Sequence, residues 1–200
     1  NAETCARGCR PVKADARILG FDDGPFTWDD STVPVIGVVA RGGGYVEGVL
    51  RTEVEVDGDD ATDALATSVA RSRFRDEIRA ILLDGIALGG FNVVDLDALH
   101  ERTRVPVLAV TQGEPDLAAM EDALRRHVDG AERKVAILRR HAPRMYPTEG
   151  KPIGVRCVGM AERDVPALLA ATTIRGLVPE PLRLAHLVAT AYVEGESRGL

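Results

Sequence analysis

The sequence predicts a single α/β domain built on a mixed sheet, and three features of its hydrophobic pattern support this. Short continuous apolar runs, Ile81-Leu82-Leu83 and Val105-Pro106-Val107-Leu108-Ala109-Val110, read as central strands covered on both faces. Between them Val93, Leu96 and Leu99 recur at helical spacing, so strand and helix alternate as a parallel portion of sheet requires. Earlier, Val33 to Ala40 and Tyr45 to Val56 flank Arg41-Gly42-Gly43-Gly44, the pattern of an antiparallel hairpin.

The elements follow in order. Residues 1–14 read as a flexible tail and 15–200 as the single domain. Ala16 to Phe21 is a buried strand running into Asp22-Asp23-Gly24-Pro25. The strand from Tyr45 mixes Val49, Val54 and Val56 with Arg51, Glu53 and Glu55, which suits a sheet edge with one wet face. Asp59 or Asp60 is placed to cap a helix from about Ala61, with Leu65 and Val69 on its apolar stripe. Asn92 to Thr103 reads as a second helix and Asp116 to Val128 as a third. Val135 to Leu138 and Ile153 to Val158 are expected to be strands. Asp164 should cap a helix through Ala171, and Pro181 opens a last helix with Leu184, Leu187, Val188, Ala191 and Tyr192 on one face.

Composition bounds the function. The chain has 200 residues, 45% of them hydrophobic and 28% charged, enough for a core built without many aromatics, which are 4%. No stretch approaches the roughly 18 apolar residues of a membrane span. Asn1 to Lys13 lacks the apolar segment of a secretory leader, so a cytoplasmic protein with no membrane partner is the expectation. The net charge of -6 excludes a generally basic nucleic-acid coat, yet a metal-dependent cutting site is itself acidic. Almost all cations are arginines, the exceptions being Lys13, Lys134 and Lys151; codon bias explains this as well as phosphate binding does. Cys5 and Cys9 have no second pair to complete a zinc site, and Cys157 stands apart.

Two apolar strands end alike, in Phe21-Asp22 and Leu83-Asp84. Ligands of open α/β sheets bind beyond the carboxyl ends of strands. If these strands are parallel neighbours about 4.8 Å apart, the two carboxylates can share one cation. Mg²⁺ suits such hard oxygen donors, with Mn²⁺ an alternative. A third carboxylate could come from Asp57, Asp60, Asp63 or Asp95. The competing reading of both Asp-Gly ends is a plain turn. Gly85 to Asn92 leaves the central strand and opens a helix, a position that favours an anion, and equally a simple connector. No Ser-His-Asp or Cys-His arrangement stands out, which disfavours a protein nucleophile.

The runs Leu19-Gly20-Phe21-Asp22-Asp23-Gly24-Pro25-Phe26, Leu82-Leu83-Asp84-Gly85-Ile86, Gly89-Gly90-Phe91-Asn92-Val93-Val94-Asp95 and Pro179-Glu180-Pro181-Leu182-Arg183-Leu184-Ala185-His186 resemble an archaeal family of endonuclease V-like proteins, some named endonuclease dU. The resemblance spans about Arg17 to Gly199. It implies an RNase H-like fold and Mg²⁺-dependent cutting of DNA, with RNA an alternative, beside a deaminated base such as deoxyuridine. Asp22 matches the first-strand catalytic aspartate of endonuclease V, and Asp84 matches the aspartate of its V-D-G motif. That family's glutamate in Phe-Arg-Glu has no counterpart here, and Asp60 is preferred over Asp63 to replace it as catalytic and metal-binding residue. Its Gly-His motif would fall at Gly159-Met160-Ala161-Glu162, without a histidine, and its Pro-Tyr-Ile-Pro wedge has no clear equivalent near Gly44-Tyr45-Val46-Glu47. Arg41, Arg73, Asn92, Arg183 and His186 are the candidate nucleic-acid contacts, each also readable as a solvated or structural group. The alternative function is a non-catalytic nucleic-acid-binding or repair-scaffold protein that keeps the fold.

Overall fold

A computed structural model describes residues 15–42, 44–148 and 150–197. The expected tail, with Cys5 and Cys9, lies outside the described residues. Among the described residues there are nine strands: β1 (Arg17–Asp23), β2 (Thr32–Arg41), β3 (Tyr45–Glu55), β4 (Ile78–Asp84), β5 (Ala87–Leu88), β6 (Asn92–Val93), β7 (Val107–Gln112), β8 (Arg144–Tyr146) and β9 (Ile153–Val158). Six α-helices accompany them: α1 (Ala61–Arg71), α2 (Leu96–Thr103), α3 (Leu117–His127), α4 (Ala131–Arg140), α5 (Val165–Thr172) and α6 (Glu180–Glu194).

Seven strands form one sheet in the order β3-β2-β1-β4-β7-β9-β8. Its centre, β1-β4-β7, is parallel; the β1-β2-β3 meander and the β7-β9-β8 side are antiparallel. This is the mixed α/β sheet flanked by helices that the hydrophobic pattern predicts. On one face Leu19, Phe21, Ile81, Leu83 and Ala109 meet Leu65 and Val69 of α1, Leu96 and Leu99 of α2, and Val135 and Leu138 of α4. On the other, Ile18, Ala80, Leu82, Leu108 and Val110 meet Val165 and Leu168 of α5 and Leu182 of α6. Both faces are covered, which is why these strands read as unbroken apolar runs.

The helix α6 lies directly on β1 because β1 has a glycine at the crossing. A Cβ on Gly20 would sit 2.5 Å from the Pro181 carbonyl carbon and 2.7 Å from the Leu182 nitrogen. Such contacts admit no side chain, so Gly20 sets how closely the start of α6 approaches the sheet.

Several local expectations differ from the structure; the buried apolar face of α6 is Leu182, Ala185 and Ala189, while Val188 and Tyr192 are exposed. Val135 to Leu138 is the buried stripe of α4, not a strand: Ala131, Lys134, Val135 and Leu138 are buried at helical spacing. A four-residue apolar run fits either period, and the flanking residues decide. The second helix begins at Leu96 rather than Asn92. Asp95 caps it by accepting from the Ala98 amide at 3.2 Å, while Asn92 and Val93 pair with Leu88 and Ala87. Asp60 occupies the N-cap position of α1 without a capping hydrogen bond. Asn92 does that work, its Oδ1 accepting from the Ala61 amide at 3.0 Å.

One buried cation ties the connections above the sheet together. The Lys134 ammonium donates to the carbonyls of Asp57 and Gly58, both at 2.7 Å, and of Phe91 at 2.9 Å. It is only 3% exposed, and full hydrogen bonding is what makes that burial tolerable.

Two outcomes are expected. Gly20→Ala should lower stability by about 1–3 kcal/mol through overpacking against α6, read as a fall in the urea midpoint with an unchanged slope. Lys134→Met should cost about 3 kcal/mol in the same measurement, because three carbonyls lose a charged donor while little volume changes.

Candidate active site

Strand parity and register bring the two terminal aspartates together. Gly20 pairs with Leu82 and Phe21 with Leu83 across parallel β1 and β4, so Asp22 and Asp84 are the next residues on each strand. Both share parity with Gly20, Ala80 and Leu82, on the face that α6 covers. They line a cavity of about 560 Å³ with Asp23, Gly24, Pro25, Gly85, Val110, Thr111, Gln112 and His186. The cavity sits beyond the carboxyl ends of β1, β4 and β7, where open α/β sheets bind ligands.

The carboxylates are held in an unfavourable state for free anions. Asp22 is buried, and its pKa is pushed up to about 8, first by desolvation and then by repulsion from Asp84 and Asp23. The amide of Asp23, donating to Asp22 Oδ1 at 2.9 Å, offsets part of this. Burial also raises Asp84, against a lowering by His186. Asp23 is raised by burial as well, although the Gly89 amide donates to its Oδ2 at 2.7 Å and lowers it. From α6, His186 places Nδ1 2.9 Å from Asp22 Oδ2, so one proton lies between ring and carboxyl.

Of the remaining candidates, His186 lines the cavity and the others do not. Asp60, expected to complete the carboxylate set, does not line the cavity. Its Oδ1 accepts from the Asn92 side chain at 2.6 Å and from the Glu55 amide at 3.0 Å, which fixes the turn before α1. Asn92 is fully buried, and its amide is spent on Asp60, the Glu55 carbonyl at 2.9 Å and the Ala61 amide. Asp60 Oδ1 and the Asn92 amide are therefore engaged with each other and with the neighbouring backbone. Arg41 pairs with Arg17 at the opposite end of β1, five residues or roughly 17 Å from Asp22. There it binds Glu47 at 2.9 Å, and Glu47 also pairs with Arg17. Arg73 precedes β4 at that same far end and lies 4.7 Å over the Phe74 ring. Arg183 and His186 share α6, one turn apart. Arg183 is forked onto Glu180 at 2.8 and 2.5 Å.

The structure adds members that the sequence reading passed over. Asp23, Thr111 and Gln112 line the cavity, and His186 stands against Asp22 rather than out along a strand path. The polar end of β7, Thr111-Gln112 after the four apolar residues Val107 to Val110, was the available signal for the last pair. The link between His186 and Asp22 spans 164 residues, and no local pattern encodes it.

The donor set suits a hard divalent ion in one respect and not in another. Two carboxylates on neighbouring strands, Asp22 buried and Asp84 half-buried, offer the oxygens that Mg²⁺ takes, and such an ion relieves their repulsion. Among the described residues, however, no group of three or more His, Cys, Asp or Glu side chains is arranged to enclose a metal. Mg²⁺ often keeps several waters and takes one or two carboxylates, so the pair fits it with solvent completing the shell. Among the described residues no helix is long and apolar enough to cross a membrane.

Comparison with known proteins identifies the family and the fold. A UPF0215 protein of Thermococcus kodakarensis is 46% identical over 194 residues, covering 94% of this chain and 98% of the relative. A UPF0215 protein of Methanosarcina barkeri is 41% identical over 188 residues, covering 94% and 96%. Among solved structures, a protein of unknown function from Archaeoglobus fulgidus superposes with a TM-score of 0.79 at 38% identity, covering 89% of this chain and 98% of its own. The catalytic domain of human endonuclease V superposes with a TM-score of 0.57 at 17% identity, covering 98% and 89%, which shows a shared fold. The family model for endonuclease dU matches residues 14–193, and the chain belongs to that family.

Proposed function

We propose that this protein is a divalent-metal-dependent endonuclease that hydrolyses a phosphodiester of DNA beside a deaminated base such as deoxyuridine. The observation behind the proposal is the Asp22–Asp84 pair: a buried and a half-buried carboxylate, on adjacent parallel strand ends, in an open cavity. The endonuclease dU family match and the endonuclease V fold support the reaction class. A neighbour from Ciona intestinalis, endonuclease V in complex with inosine-containing DNA, supports a deaminated base on such a fold.

Asp22 and Asp84 would hold Mg²⁺ or Mn²⁺, with Asp23 beside them and Asp60 too far engaged to join. When bound, such an ion lowers the pKa of a coordinated water and neutralises charge on the leaving oxygen. The chain's own groups do the rest. Asp22, by engaging His186 Nδ1, orients the ring and leaves Nε2 for proton exchange with the water that attacks or the oxygen that leaves. As water oxygen bonds to phosphorus, the bond from phosphorus to a sugar oxygen breaks, and that oxygen collects the proton. Arg183, held rigid by Glu180, stands one turn before His186 as a phosphate contact. Thr111 and Gln112 supply hydrogen-bonding groups at the β7 side of the cavity.

A nicking assay on uracil- and inosine-containing duplexes with Mg²⁺ or Mn²⁺ tests this reading. Asp22→Asn and Asp84→Asn should each lower the rate about 100-fold or more, as loss of a transition-state electrostatic contact does. His186→Ala should lower it by about the same factor, with a changed pH profile. Lesion binding without turnover in any divalent metal would instead favour a non-catalytic repair scaffold.

The raised carboxyls also give a stability signature. Between the ordinary value of 3.8 and about 8, folded Asp22 keeps a proton that the unfolded chain has released. Its contribution is therefore fully present below the ordinary value and is lost as pH rises through about 8. Metal-free thermal midpoints should fall between about pH 5 and pH 9, and Asp22→Asn should flatten that fall. Added Mg²⁺ should raise the midpoint more at the alkaline end, where it meets ionised carboxylates. A Mg²⁺ effect of equal size in Asp22→Asn would remove Asp22 from the ion's site.

A further inference from the structure

The chain's single tryptophan stands on the segment that joins β1 to β2, directly after the cavity-lining residues Gly24 and Pro25. Trp28 is 68% exposed, an unusual state for the largest side chain, which ordinarily buries most of its area. It is not loosely held. The Asp30 carboxylate accepts from the Thr27 amide at 2.7 Å and from its hydroxyl at 3.0 Å, and the Asp30 amide donates to the Thr27 carbonyl at 3.0 Å. This tight turn presents Trp28 at its tip.

Two contacts fix the indole. Phe26, itself packed on the main core, meets Trp28 edge to face at 5.5 Å and 86°. Gly90 also lies against the ring, where a Cβ would come to 3.0 Å from Cζ3. Gly90 has φ +81°, and its neighbour Gly89 gives its amide to Asp23. Thus the two residues that meet the ring, Phe26 and Gly90, adjoin Pro25, which lines the carboxylate cavity, and Gly89, which binds Asp23. A flat apolar ring is locked beside an acidic pocket with most of its surface open to solvent.

Resting on the endonuclease reading, we infer that Trp28 is a stacking platform for an unpaired nucleobase of the strand that enters the cavity. An open indole face is matched by a π-face of similar size, and every base has one. Within a duplex both faces of a base are covered by its neighbours, so a base can stack on Trp28 only when it is extruded or single-stranded. The substrate class is therefore a strand with a locally unpaired base near the scissile phosphate. Trp28 selects for that unpairing and not for hydrogen-bonding identity. The other exposed aromatic of the hairpin region, Tyr45, pairs with Arg41 at the far end of the sheet and cannot share this role.

Because Trp28 is the only tryptophan, the emission of the unmodified 200-residue chain reports on it alone. Three probes are compared without divalent metal, so that nothing is cut: a uracil-containing single strand, an abasic phosphodiester of equal length, and a fully paired duplex. Binding is followed separately by anisotropy of a labelled strand. The expected result is strong quenching by the single strand, little by the abasic chain, and less by the duplex than by the single strand. Trp28→Ala should weaken single-strand binding about tenfold, the order expected for one lost base–aromatic stack, and Trp28→Phe should recover most of it. Binding with unmoved emission, equal quenching by the abasic chain, or unchanged affinity in Trp28→Ala overturns the inference while leaving nicking activity intact. Absence of both binding and nicking in the wild-type chain overturns the endonuclease reading itself.

Discussion

The structure is organised around the cost of placing Asp22 and Asp84 side by side out of water. Two like charges at the ends of adjacent strands repel, and burial penalises each again, which together hold Asp22 near a pKa of about 8. A fold that retains such a pair must keep it from relaxing apart. Here the pair belongs to the parallel centre of the sheet, where neighbouring strands and two layers of helices fix the backbone. The strands' apolar residues meet the energetic cost, and their last positions are free for chemistry.

That arrangement explains the role of parts remote from the carboxylates. Gly20 lets α6 lie on β1, which carries His186 to Asp22. On the other side, Gly89 reaches Asp23 through a connection whose course is set by Asp57, whose amide donates to the Gly89 carbonyl at 2.9 Å while its carboxylate accepts from Phe91 at 2.7 Å. Lys134 binds the carbonyls on both sides of that crossing. The chain of contacts runs from a buried cation in α4 through two loops to the site, so the position of Asp23 depends on packing on the face of the sheet that α6 does not cover.

How far this could be read from the residues depends on the range of the interaction. The strands β1, β4 and β7 are legible because burial on both faces makes apolar runs, and Asp22 and Asp84 stand out as the first charges after them. Their shared face follows from parity once the register is known, but register is a tertiary property that no single strand states. Asp60 and Asn92 were misleading for one reason: they satisfy each other across 32 residues, and two polar groups that meet internally look, in sequence, like two groups awaiting a ligand. Arg41 failed similarly, because the direction of β2 puts it at the far end, where Glu47 already holds it. Val135 to Leu138 shows the local limit, since four apolar residues fit both periods and only Ala131 and Lys134 reveal the helix.

Charge bears on how a polyanion could approach. The protein has a net charge of -6, and several of its arginines are committed: Arg17 and Arg41 to Glu47, Arg139 to Glu121, Arg140 to Asp95 and Arg183 to Glu180. Long-range attraction of a strand by a basic surface is therefore weak, and affinity must come from short-range contacts near the cavity. Stacking is such a contact, being insensitive to charge and available wherever a base has lost its partner. A repelling surface beside a held aromatic ring disfavours an intact duplex, which presents phosphates and no free base face. It penalises least a strand whose pairing is already broken. Selectivity of this kind needs no lesion-shaped pocket, because weakened pairing is itself the property being read.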